Sequence, residues 1–142
     1  MTIAVILGGK GHDVVSIDAD ATVRDAVALL AERRIGAVPV MAGGSVVGVF
    51  SERDVIRCLH EKGAAALDGS VRTAMTAPAM TVTPTEPVLG ALSLMTHRRI
   101  RHLPVMDGER LIGIVSIGDL VKHRIDRIES EAAAMRDYIQ HV

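Results

Sequence analysis

Two tetrapeptides share a spacing that could do chemistry. Ser51-Glu52-Arg53-Asp54 and Ser116-Ile117-Gly118-Asp119 each place a hydroxyl three residues before a carboxylate, just after an apolar β-branched run. At a helix start this spacing forms a capping box, in which the serine and the acid satisfy each other's free backbone N–H groups. The same carboxylate could also accept from both hydroxyls of a ribose diol, at about 1.5–3 kcal/mol per charge-assisted bond. The two roles use different groups and can coexist, so local chemistry does not choose between them. A third cluster, His97-Arg98-Arg99-Ile100-Arg101-His102, packs three arginines and two histidines into six residues. It could serve nucleic acid, a metal, a phosphate, or only the solvated end of a helix.

Composition narrows these options. The chain has 142 residues, with 16 Lys and Arg against 17 Asp and Glu, so no global field draws it to nucleic acid or an anionic membrane. Aromatic residues make up 1% of it, which removes the stacking platforms that single-strand binders use. His97, His102 and His123 lack close-paired ligand spacing and partner cysteines, so no metal is expected. The one cysteine, Cys58, lies in an apolar helical stripe and reads as a buried thiol in a reducing compartment. The apolar run near the N-terminus is too short for a signal peptide, and no run approaches the roughly 20 residues of a membrane span. The expected location is the cytoplasm. Gly8-Gly9-Lys10-Gly11-His12-Asp13 matches neither phosphate-binding glycine pattern and reads as a mobile N-terminal turn.

The elements that must position these residues come in two copies. Offset by 65, residues 15–58 lie over 80–123 without a gap and with 13 identities in 44 positions. Among the identities are Arg33/Arg98, Arg34/Arg99, Ile35/Ile100, Pro39/Pro104, Gly48/Gly113, Ser51/Ser116 and Asp54/Asp119. Each copy reads as β-α-β-β-α. A short entry strand leads to a polar turn and a helix with apolar residues at helical spacing. A Pro-containing strand, a Gly turn and a β-branched strand follow, and the second helix begins at Ser51 or Ser116. One copy alone is too small to cover its sheet, so the two should pack together about a pseudo-twofold axis. The expected division is 1–64 for an N-terminal segment and repeat 1, 65–125 for a linker and repeat 2, and 126–142 for a helical tail. Ile125, Ile128, Ala132, Met135 and Ile139 form a stripe on that tail that would suit a partner subunit.

The gapless duplication, with Ile35 to Val55 and Ile100 to Leu120 as its two signatures, resembles a tandem pair of cystathionine-β-synthase (CBS) domains, the Bateman module, of the stand-alone prokaryotic type. The resemblance covers about residues 13–125. It implies an α/β (α+β) fold of two β-α-β-β-α CBS repeats packed sheet to sheet with pseudo-twofold symmetry. It also implies a non-enzymatic regulatory module that binds adenosine nucleotides in clefts between the repeats. AMP is the first candidate, with ATP, ADP, NAD(H) or S-adenosylmethionine as others, and no cofactor is required.

Carried over by position, Asp54 and Asp119 would hold the ribose diol, with Ser51 and Ser116 near ribose or phosphate. Backbone groups around Ser16–Ile17 and Met80–Thr81–Val82 would meet the adenine edge, and Ile35 and Ile100 would flank the base. Arg101 and His102 would face phosphate together with Asp119, whereas the first repeat has Gly36 and Ala37 at those positions and adds Arg53 beside Asp54. The two clefts should therefore differ in ligand. Arg98 and Arg99 recur as Arg33 and Arg34 and are assigned to the helix end, where cations favour the macrodipole. The partners implied are an adenine nucleotide, a second copy in a homodimer, and an unidentified regulated protein. A structural adaptor with degenerate clefts is the alternative, and an enzyme acting on a nucleotide is a third reading.

Overall fold

Residues 1–10 and 14–141 are described by the computed structural model. In the first repeat β1 (Ile17–Asp18) leads to α2 (Val23–Arg33), β2 (Ala37–Ala42), β3 (Ser45–Ser51) and α3 (Glu52–Lys62), after an N-terminal helix α1 (Ile3–Lys10). A 3-10 turn (Gly63–Asp68) and α4 (Val71–Ala74) connect to α5 (Val88–Arg98), β4 (His102–Asp107), β5 (Arg110–Ser116) and α6 (Ile117–Gln140). The α2 helix opens at Thr22, whose side chain accepts from the Asp25 N–H, as expected of a polar residue at that position. Both α2 and α5 close on a left-handed arginine, Arg34 at φ 54° and Arg99 at φ 55°. The duplicated Arg-Arg pairs therefore do sit at the helix ends.

The strands repeat equally closely. β2 and β3 pair antiparallel with a register shift after Val40, and β4 and β5 do so with a shift after Val105, the same place under the 65-residue offset. β1 pairs parallel with β2 through Ile17 and Val40. In the second repeat this pairing shrinks to a single parallel bridge, Val82 to Val105. The entry strands expected from apolar runs are thus shorter than their sequences suggested. Pro39 is tolerated because β1 begins its pairing one residue later, leaving the proline's missing N–H on an unpaired edge.

The segment preceding each repeat packs on the other repeat. α4 docks on the first, where Val23 N–H donates to the Gly69 carbonyl and Val71 N–H to the Ala21 carbonyl. α1 docks on the second, where Ile3 N–H donates to the Glu86 carbonyl and Val88 N–H to the Met1 carbonyl. Ile3, Ile6 and Leu7 are buried in the second core beside Val88, Met95, Leu103 and Leu120. The mobile turn expected at 8–13 is corrected for Gly8 to Lys10, which form the last turn of α1, because that apolar face has a core to enter. Residues 11–13 lie outside the described residues.

The first core gathers Val23, Ala26, Leu30, Val38, Val40, Phe50, Cys58 and Val71, with Phe50 fully buried and the Cys58 thiol inside. α6 runs without a break from the second Ser-x-x-Asp through the tail to Gln140. Ile125, Ile128, Met135 and Ile139 on it are exposed. Among the described residues no helix is long and apolar enough to cross a membrane.

Candidate functional site: a cleft between the repeats

Asp54 is the one buried charged residue among those described. It stands in the first turn of α3 and caps that helix, its Oδ2 accepting from Ser51 N–H at 2.9 Å and from the Ser51 hydroxyl at 3.2 Å. Its Oδ1 accepts from the Thr76 hydroxyl at 2.8 Å and meets the Arg57 guanidinium at 3.0 Å. A carboxylate offers about four lone-pair sites, so Asp54 is saturated. Thr76 is brought to it by backbone bonds to Val49 in both directions. Capping thus occupies one oxygen of this carboxylate, and the other faces Thr76 and Arg57 at the cleft.

Around Asp54 lies a cavity of about 470 Å³ lined from both repeats, within the usual range for small-molecule sites. Arg53, Arg57, Arg99 and Arg101 line it against the two carboxylates Glu52 and Asp54, so the wall favours an anion. Val49, Pro78, Met80 and Ile100 add apolar surface that could sandwich a flat ring. Arg53 donates to the Arg99 carbonyl at 2.9 Å and ties α3 to the left-handed end of α5. Gly36 leaves room for His102, whose ring Cε1 and Nε2 would each lie 3.1 Å from a Cβ placed there. Burial pushes the His102 imidazolium below its ordinary 6.5; the Lys10 ammonium and Arg101 add to this, while Glu52 and Asp119 oppose it. His102 therefore offers the cavity a neutral ring at pH 7.

The second Ser-x-x-Asp is occupied differently. Ser116 N–H donates to Asp119 Oδ2 at 2.8 Å and Asp119 N–H to the Ser116 hydroxyl at 3.1 Å, a complete capping box. The Lys10 ammonium, at the end of α1, donates to the same Oδ2 at 2.7 Å and to the Ile114 carbonyl at 2.9 Å. Burial alone would raise the Asp119 carboxyl, but the bonds from Lys10 and Ser116 outweigh it and hold the group below its ordinary 3.8.

The structure brings together Gly36, Ser51, Arg53, Asp54, Met80, Ile100, Arg101 and His102 in one cavity. Arg101 and His102, expected beside Asp119, both line the cleft of Asp54, although their backbones also join the start of α6, where His102 pairs with Ser116 and the Arg101 carbonyl accepts from Ile117 N–H. His102 still feels Asp119 electrostatically. Ser116 and Asp119 do not line that cavity, and Asp119 is met by Lys10. Ser16 is exposed in a shallow depression between the hairpin turns around Gly43 and Glu109. Ile17 and Ile35 pack on the first core, Val82 is buried in the second, and Thr81 is exposed. Sequence reasoning missed Thr76, Arg57 and Lys10, and it gave Arg99 only a helix-end role. Arg57 carried a local signal, three residues after Asp54 on the same helix face.

Two β-α-β-β-α repeats related by a pseudo-twofold, with a mixed cleft between them, define a CBS-domain pair. The CBS domain pattern matches residues 11–61 and 71–126, and the chain belongs to that family. One relative is the CBS domain-containing protein CBSX3, mitochondrial, of Arabidopsis thaliana, 37% identical over 126 residues; the match covers 85% of this chain and 61% of that protein, so the chain spans under two thirds of its length. The CBS domain-containing protein YhcV of Bacillus subtilis is 29% identical over 124 residues, with 86% of each chain covered. Among solved structures, a CBS-domain-containing protein of Agrobacterium tumefaciens superposes with a TM-score of 0.84 at 38% identity, covering 87% of this chain and 99% of that one. A CBS domain protein of Pyrobaculum aerophilum, solved in complex with AMP, superposes with a TM-score of 0.75 at 30% identity, covering 84% and 89%.

Proposed function

We propose that this chain is a non-enzymatic regulatory module that binds an adenosine nucleotide, AMP first, in the cleft of Asp54. The observation that carries this reading is one cavity in which a buried carboxylate, apolar walls and four guanidinium groups converge. A ribose diol would take over the Asp54 Oδ1 lone pairs that now accept from Thr76 and Arg57. The base would lie between Met80 and Ile100, and the phosphate would meet Arg101 and its neighbouring arginines. The AMP complex of the Pyrobaculum relative supports the choice of ligand. A second copy of the chain is the proposed partner along α6, whose exposed apolar stripe is flanked by charges of both signs. We place the module in the cytoplasm, where its single buried thiol stays reduced.

Thermal denaturation with AMP, ATP, NADH and S-adenosylmethionine tests the reading. A ligand at 100 times its Kd should stabilise the fold by about 2.7 kcal/mol. Arg101→Ala should weaken AMP binding about tenfold, near 1.4 kcal/mol. No shift with any of the four compounds would overturn the proposal, and product formed from any of them would overturn its non-enzymatic part.

A further inference from the structure

α6 turns one face to its own chain and leaves the opposite face uncovered. Leu120 is fully buried in the second core. Farther along the helix, His123, Asp126, Arg127, Ser130 and Ala134 line a depression against Met1 of the same chain. Val121, Ile125, Ile128, Ala132, Met135 and Ile139 lie on the other side of the helix and are all exposed. Their steps alternate between four and three residues from end to end. That period of 3.5 is the seam of a two-stranded coiled coil, with Ile125, Ala132 and Ile139 at the a positions and Val121, Ile128 and Met135 at the d positions.

The charges beside the seam distinguish the two ways of pairing it with a second copy. In a parallel, in-register pair each g residue faces the e residue five positions later on the other helix. Arg124 then meets Glu129, and Glu131 meets Arg136, so both charged pairs are of opposite sign. An antiparallel pair with the same overlap sets Val121 against Ile139. It places Glu129 against Glu129, Glu131 against Glu131 and Lys122 against Arg136, all of like sign. Glu131 accepts from Arg127 of its own helix at 3.1 Å, an exposed pair that contributes little and can be shared.

We propose that α6 pairs with α6 of a second copy as a parallel, in-register coiled coil over Val121 to Ile139, which sets both CBS pairs side by side at one end of the coil. This rests on the second copy proposed along α6 above and adds its orientation. The test is oxidative cross-linking of the full chain carrying Ile139→Cys or, separately, Val121→Cys; the native Cys58 is buried. Each variant should form a disulfide with itself, since a disulfide needs Cα atoms within about 7 Å. In the antiparallel pair two copies of position 139 stand about 27 Å apart, and only a mixture of the two variants would cross-link. Arg124→Glu should raise the dimer Kd about tenfold, and adding Glu129→Arg should restore it, because residues five apart do not face each other on one helix. A dimer that cross-links only in the mixture, a charge swap without rescue, or an assembly of more than two chains would each overturn the inference and leave self-association standing. A monomer in sedimentation would overturn the second copy itself, so the two failures are distinct.

Discussion

At the scale of single residues, environment decides what each side chain can do. His102 and Arg101 are sequence neighbours in one basic cluster, yet the ring is desolvated against Gly36 while the guanidinium joins the cationic wall of the cleft. The fold favours neutral His102 and ionised Asp119, so both groups bind fewer protons folded than unfolded. Stability therefore falls as pH falls. The His102 contribution is complete above its ordinary 6.5 and is lost as pH drops through its lowered value. The Asp119 contribution is complete above its ordinary 3.8 and is lost only at more acid pH. Melting temperature measured against pH should decline in these two stages. His102→Gln should flatten the first and leave the second. A first stage that survives the substitution would assign it to another group.

At the scale of elements, the exchange of leading segments explains the duplicated glycines. Gly48 and Gly113 occupy the same point of the two hairpins, where the partner segment crosses. A Cβ at Gly48 would meet the Thr76 carbonyl oxygen at 2.8 Å and Met75 Sδ at 2.7 Å. At Gly113 it would meet only the Leu7 side chain, its nearest atom at 2.6 Å. Backbone held by its bonds to Val49 cannot yield as a leucine tip can. Gly48→Ala should therefore cost about 1–3 kcal/mol, and Gly113→Ala less, as measured by denaturant unfolding. Equal costs would mean that both crossings relax alike. Helix starts, the hairpins and the arginine ends were legible because caps, turns and periodicity are local. The docking of Ile3, Ile6 and Leu7 was not, because a short apolar run has no local signal for which core receives it.

At the scale of the molecule, two cores of similar make-up are joined through exchanged segments, and a long helix extends from the second. On α6, Ile128 is 50% exposed and Met135 59% exposed. Burying such residues against a second copy would gain roughly 1.5–3 kcal/mol per side chain. Sedimentation velocity should find a dimer, and Ile128→Ser with Met135→Ser should shift it to monomer while the melting of each core is kept. A dimer untouched by the pair of substitutions would move the interface elsewhere.

The sequence by itself determined the duplication, the order of elements in each repeat, and the helix-start positions of both Ser-x-x-Asp motifs, because each rests on residue type at fixed short spacing. Only the tertiary structure decided which groups share a cleft. Arg101 and His102 join Asp54 across 47 and 48 residues of chain, and Lys10 reaches Asp119 across 109. The first pairings follow from how the two repeats meet about a pseudo-twofold and the last from how α1 docks on repeat 2, and no spacing along one strand encodes either.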